Sequence, residues 1–186
     1  SFCSPGKTVS DQEKFRFETL RLYANNYYWY FRGSFNPLFR IPCYLIGINL
    51  VFRGQYATKN LLSSEQFGIG GYNTVRGYEE RQINGDSAFL FNGEILSPPF
   101  SIFLRKQSNR YRDAMTILLF YDNGTGYLHR PSSGELRATN LQGIGGGIRY
   151  TIDNILNCRA DLGYRLKTIP DVKHGIRVHF GFDLSY

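Results

Sequence analysis

The sequence predicts an all-β protein of antiparallel strands, and three observations carry this. From Ile176 onward, Ile176, Val178, Phe180, Phe182, Leu184 and Tyr186 alternate with Arg177, His179, Gly181, Asp183 and Ser185. Strict alternation puts one apolar face against one polar face of an extended segment. Of the 186 residues, 16% are aromatic (15 Phe, 14 Tyr) and 20 are Gly, so the chain is rich in strand formers and in the residue that marks bends. No apolar run approaches the roughly 18 residues that a spanning helix needs.

Taken in order, the first strand is predicted over 14–24, with a parity slip near Thr19 that suggests a bulge. The tyrosine-rich run Asn26–Phe31, which carries Trp29, either extends that strand or belongs to an aromatic girdle. A second strand covers 44–57, with Tyr44, Ile46, Ile48, Leu50 and Phe52 opposite Gly47, Asn49 and Arg53. Strands over 87–96, 114–123 and 141–151 follow. In 156–166, Leu156, Cys158, Ala160, Leu162, Tyr164 and Leu166 face away from Asn157, Arg159, Asp161, Gly163 and Arg165. The strand over 176–186 closes the series, which makes seven strands, or eight. Long connections (about 59–86, 123–140 and 167–175) fall on one side of this array. The short turn at Asp153-Asn154 falls on the other, together with a longer connection over 97–113. Residues 1–186 read as one unit without an internal linker.

A water-soluble sheet and a transmembrane β-barrel both fit this pattern, because barrel strands alternate and give a weak hydropathy signal. The asymmetry of the connections favours the barrel. So does the ending Gly181-Phe182-Asp183-Leu184-Ser185-Tyr186, which resembles the final-strand insertion signal of bacterial outer-membrane barrels. The formal charge of +7 comes from scattered basic residues with no run of five, so a nucleic-acid partner is not expected. A lumen or rim that meets charged polypeptide is a better use of such charge. Cys3, Cys43 and Cys158 lack metal-ligand spacing, and Cys158 lies on the apolar parity of its strand. The glycine clusters at 68–71 and 143–147 are not followed by Lys-Ser/Thr or a helical pattern, so neither reads as a phosphate loop. The second reads instead as a thinned strand at a bend. Asn123-Gly-Thr125 reads as a turn. No nucleophile elbow, paired Ser/His set or metal spacing is present, so neither an enzyme nor a cofactor is expected.

The most distinctive segment is the polar, glycine-studded stretch Leu62-Ser-Ser-Glu-Gln-Phe-Gly-Ile-Gly-Gly-Tyr-Asn-Thr-Val-Arg-Gly-Tyr-Glu79. A connection of this length without structure of its own is uncommon unless it is functional. The stretch resembles the lumen loop of two-partner secretion transporters, the haemolysin-activator family. Val75, Arg76, Gly77 and Tyr78 match that family's loop tip, and Glu65, Phe67, Gly70, Gly71 and Asp86 match residues that support the loop. The strand Thr116–Asp122 resembles a second family element, in which an acid at a strand end faces the lumen and meets the loop arginine. The resemblance therefore pairs Arg76 with Asp122, and parity makes Glu94 a further candidate lumen acid.

The same resemblance implies a 16-stranded barrel, preceded by periplasmic POTRA domains that bind the secreted partner. The POTRA domains and the N-terminal barrel half have no counterpart in this sequence, so the chain looks like the C-terminal part of the barrel. The implied location is the bacterial outer membrane. The implied partners are a secreted exoprotein of haemolysin or adhesin type, outer-membrane lipid, and the barrel-assembly machinery through Gly181, Phe182, Leu184 and Tyr186. The alternatives are a barrel-assembly relative and a self-contained eight-stranded surface barrel.

Overall fold

The computed structural model describes residues 2–3, 28–42, 45–102, 113–153, 155–170 and 172–185, the first pair by backbone alone. Among these the elements are β1 (Phe2–Cys3), β2 (Tyr30–Phe35), β3 (Leu38–Ile41), β4 (Ile46–Ala57), β5 (Phe67–Ile69), β6 (Ile83–Gly85), β7 (Ser87–Leu96), β8 (Asp113–Tyr127), β9 (Ala138–Ile152), β10 (Leu156–Arg165) and β11 (Ile176–Leu184), with no helix. Nine strands form one antiparallel sheet in the order β1-β2-β4-β7-β8-β9-β10-β11, with β3 also paired to β4. The β5–β6 ladder (Phe67↔Gly85, Ile69↔Ile83) is a separate hairpin inside the 58–86 connection. Among the described residues, β1 and β11 are not paired with each other, so the sheet is open.

The connections sort by edge as the sequence suggests. The connections β4–β7, β8–β9 and β10–β11 leave one end of the strands, and β3–β4, β7–β8 and β9–β10 leave the other. Three expectations need correction. The strand β2–β3 runs over Tyr30–Phe35 and Leu38–Ile41, of which the sequence suggests only the stretch ending at Phe31. The register with β4 runs unbroken from Phe35↔Phe52 to Leu38↔Asn49. Pro37 costs the ladder one donor and still accepts from Leu50 N at 3.0 Å, so one bond is lost and not the strand. Asp122 is not at a strand end, because β8 continues to Tyr127. Asn123-Gly-Thr125 is therefore strand and not a turn. The turn signal loses to packing: a Cβ on Gly124 would stand 2.5 Å from Ile69 Cγ2 and 2.9 Å from Val75 Cγ2, so this glycine makes room for the loop. The strand expected over 14–24 and its slip at Thr19 lie outside the described residues, as does Cys43.

The two faces of the sheet differ sharply. On one face, Phe31, Leu119, Val178, Phe180, Phe182 and Leu184 are each more than 60% exposed. No described element covers this face. On the other face, alternate residues of β7, β8, β9 and β10 are buried beneath the 58–86 connection. Ala88, Leu90 and Leu141 of the sheet pack with Ile69, Val75 and Tyr78 of the loop, forming the main core cluster. The polar-parity face therefore gains its burial from the loop that lies on it.

Candidate functional site

The loop first builds a rigid tip. Gly70 and Gly71 adopt φ of 112° and 101°, in the left-handed region where a side chain is strained. These turns let Gly70 N donate to Thr74 Oγ1 at 2.8 Å and Gly71 N to Val75 O at 3.0 Å. The chain then presents Val75, Arg76, Gly77 and Tyr78, all buried, to the sheet.

The sheet is cleared to receive them. A Cβ on Gly143 would collide with the Arg76 carbonyl oxygen, and one on Gly163 would stand 2.5 Å from Gly77 N. Gly145 and Gly147 leave space for Phe120 and Asp161 in the same way. The glycine cluster of β9 therefore forms the floor of a slot, a more specific role than the strand thinning expected from sequence.

Arg76 fills the slot. Its Nε and Nη2 each donate to Asp122 at 2.8 Å, to Oδ2 and Oδ1 respectively, and its backbone N donates to Oδ2 at 3.0 Å. Its Nη1 meets Glu94 Oε1 at 2.7 Å and lies 3.7 Å from Asp161 Oδ2. The guanidinium carbon stands 3.5 Å from the centroid of the Phe120 ring. Asn92 Nδ2 donates to Asp122 Oδ1 at 2.8 Å, so this carboxylate, 0% exposed, accepts four hydrogen bonds. Burial disfavours the charged guanidinium, but hydrogen bonds and charge from Asp122 and Glu94 outweigh it and hold Arg76 above its ordinary value.

Asp161 is a residue the sequence reading did not single out. It binds Arg149 Nη1 at 2.6 Å and Arg159 Nε at 2.7 Å, and Arg149 in turn reaches Glu94 at 3.7 Å. Three arginines (76, 149, 159) thus interleave with three acids (94, 122, 161), and the cluster is neutral overall. The signal for Asp161 is its polar parity in β10, between Arg159 and Gly163.

The irregular backbone of the tip has no ladder partner, and side chains of the sheet satisfy it instead. Arg159 Nη2 donates to Tyr72 O at 3.0 Å, Arg53 Nη2 to Asn73 O at 2.8 Å, and Arg165 Nε to Gly77 O at 2.6 Å. Asn92 Nδ2 donates to Thr74 O, and Gly77 N donates to His179 Nε2 at 3.1 Å. Arg159 also lies over the Tyr72 ring at 3.8 Å. The Tyr78 hydroxyl donates within reach of Gln142 O (3.0 Å) and Lys167 O (2.7 Å), and burial raises its pKa. At the rim, Arg177 pairs with Glu79 at 2.6 Å.

The loop base is tied separately. Asp86, 0% exposed, accepts from Leu61 N, Gln66 Nε2 and His129 N, each at 3.0 Å. This joins the base to the 128–137 connection. Glu65 Oε2 accepts from the Tyr30 hydroxyl at 2.9 Å, and Phe67 packs against the main core cluster. In the last strand, Phe182 and Leu184 lie on the exposed apolar face. Gly181 lies on the opposite face, where a Cβ would stand 2.6 Å from the Tyr72 hydroxyl; Tyr186 lies outside the described residues.

The family model for the haemolysin secretion/activation protein ShlB/FhaC/HecB matches residues 10–150. CdiB from Acinetobacter baumannii has a similar fold, with a TM-score of 0.62 and 23% identity over 86% of this chain and 27% of that one. The chain therefore spans roughly a quarter of that protein's length. Among curated proteins no match is found.

Proposed function

The chain belongs to the haemolysin secretion/activation family ShlB/FhaC/HecB, the transporters of two-partner secretion, and from that premise we propose that it is the C-terminal part of an outer-membrane export pore. In this reading the sheet is a segment of a 16-stranded barrel wall. The apolar face meets lipid, the loop-bearing face lines the lumen, and the 58–86 loop is folded back into it. The POTRA domains and the remaining strands lie outside these residues. An unfolded exoprotein of haemolysin or adhesin type crosses the bacterial outer membrane through the lumen without nucleotide hydrolysis. Phe182 and Leu184 on the exposed face fit a final strand recognised by the barrel-assembly machinery.

The loop is the gate, and Arg76 is its latch. The observation that carries this is the buried fork between Arg76 and Asp122, with Glu94 as a second acceptor. A buried ion pair adds little net stability, because desolvation offsets attraction, yet losing one partner costs about 3–5 kcal/mol. Such a contact is strongly position-specific and marginal in net worth. That suits a joint which must hold and also open.

The test is a charge exchange in the full-length transporter, read as secretion of its exoprotein. Arg76→Asp and Asp122→Arg should each abolish secretion or leave the pore ungated, and the double variant should recover part of the lost control. Recovery is partial because the new acid would stand beside Glu94 and Asp161. No recovery in a correctly assembled barrel would refute the latch.

A further inference from the structure

Three of the arginines that hold the loop hydrogen-bond to its backbone, and Arg159 also lies over the Tyr72 ring. Arg53, Arg159 and Arg165 donate to the carbonyl oxygens of Asn73, Tyr72 and Gly77, in a stretch with no ladder partner. Asn92 does the same at Thr74. Carbonyl recognition is indifferent to sequence, since every residue offers the same acceptor.

Arg53 and Arg165 form no ion pair among the described residues, so backbone oxygens are their principal partners: Asn73 O for Arg53, Gly77 O and Lys173 O for Arg165. Arg159 is shared between Asp161 and Tyr72 O. Arg53 stands on β4 and the other two on β10, with β7, β8 and β9 between. At about 4.8 Å per strand, that is about 19 Å along the sheet, so the loop backbone is gripped from both flanks. A displaced loop would leave these donors facing whatever enters the same space.

We propose that Arg53, Arg159 and Arg165 form a sequence-independent binding site for the backbone of the exported polypeptide, and that the loop occupies this site in the resting state. This rests on the export reading above. An extended, unfolded chain carries unpaired carbonyls along its whole length and takes over the three guanidinium groups as the loop leaves. Loss of the loop contacts is offset by equivalent contacts to the passing chain, so opening does not leave these half-buried guanidinium groups without their carbonyl acceptors. A folded domain, whose carbonyls are already paired, offers no such exchange.

The test uses the full-length transporter with the loop tip 70–81 removed, inserted in a planar bilayer. The probes are a neutral Gly-Ser peptide of about 20 residues and a polyethylene glycol of equal contour length, which lacks amide carbonyls. The peptide should produce blockades at least about tenfold longer than the polymer, in line with one charge-assisted hydrogen bond. The variant Arg53→Gln/Arg159→Gln/Arg165→Gln should shorten them to the polymer's level. Equal blockade by peptide and polymer, or blockade unchanged in the triple variant, overturns the proposal while leaving the pore intact. If removing the tip fails to raise conductance in an assembled barrel, the gate reading falls instead.

Discussion

Replacing Gly163 by alanine should unseat the loop without altering a single charge. The backbone at 163 has no positive φ, so alanine fits β10 itself. The added Cβ would lie 2.5 Å from Gly77 N, 2.8 Å from the Arg76 carbonyl carbon and 3.0 Å from Gly77 Cα. A comfortable contact is about 3.5 Å, so one side must retreat by about 1 Å. β10 is held by ladders to β9 and β11 along its whole length, whereas the tip is held by side chains, so the tip gives way. Moving Arg76 by about 1 Å stretches its two 2.8 Å bonds to Asp122 towards about 3.8 Å, beyond hydrogen bonding. At about 1.5–3 kcal/mol for each charged bond, the loss is at least about 3 kcal/mol, a more than hundredfold shift in loop occupancy. Single-channel conductance of the full-length protein should rise, and trypsin should gain access to Arg76, which the seated loop buries. Unchanged conductance and protection, in a variant with normal heat-modifiable gel mobility, would refute the slot.

Further variants probe the separate parts of the site. Arg76→Gln leaves Asp122 buried without its guanidinium partner and should destabilise the seated loop by about 3–5 kcal/mol, visible as faster amide exchange over 70–81. Asp161→Asn removes the shared partner of Arg149 and Arg159 and should open the loop without touching Asp122, giving noisy conductance and not a silent pore. Asp86→Ala should loosen the loop base and the 128–137 connection together, because both donate to this carboxylate. Exchange rising in only one of the two segments would contradict that coupling. Tyr78→Phe should cost about 1 kcal/mol or more, since its one buried hydroxyl proton, shared between the Gln142 and Lys167 carbonyls, is lost.

The strands were legible because alternation survives in sequence: β7 is read to the residue, and β10 and β11 to within two. Beyond Phe31, β2–β3 was hidden by Pro37, whose cost is local to one ladder bond. The extension of β8 was hidden by Gly124, which obeys the packing of Ile69 and Val75 rather than the turn chemistry of Asn-Gly. In the site, Arg76, Asp122 and Glu94 could be named because motif and parity point at them. Asp161, Asn92 and the carbonyl-binding arginines could not, because each depends on which strand lies beside which. The glycines of β9 illustrate the limit well. Their spacing is visible in sequence, but what fills the space above Gly143 is Arg76 of the distant loop, and above Gly145 and Gly147 it is Phe120 and Asp161 of neighbouring strands.

The most direct test fixes the loop in place. In the full-length transporter with its natural cysteines replaced, Tyr72→Cys and Gly181→Cys put thiols on the loop tip and the last strand, where the Tyr72 ring abuts Gly181. A short, reducible bifunctional thiol reagent then bridges them in cells that export the exoprotein. Secretion should stop in proportion to the bridged fraction and resume on reduction. Secretion that continues at full rate with the bridge complete would mean that the loop does not gate the pore.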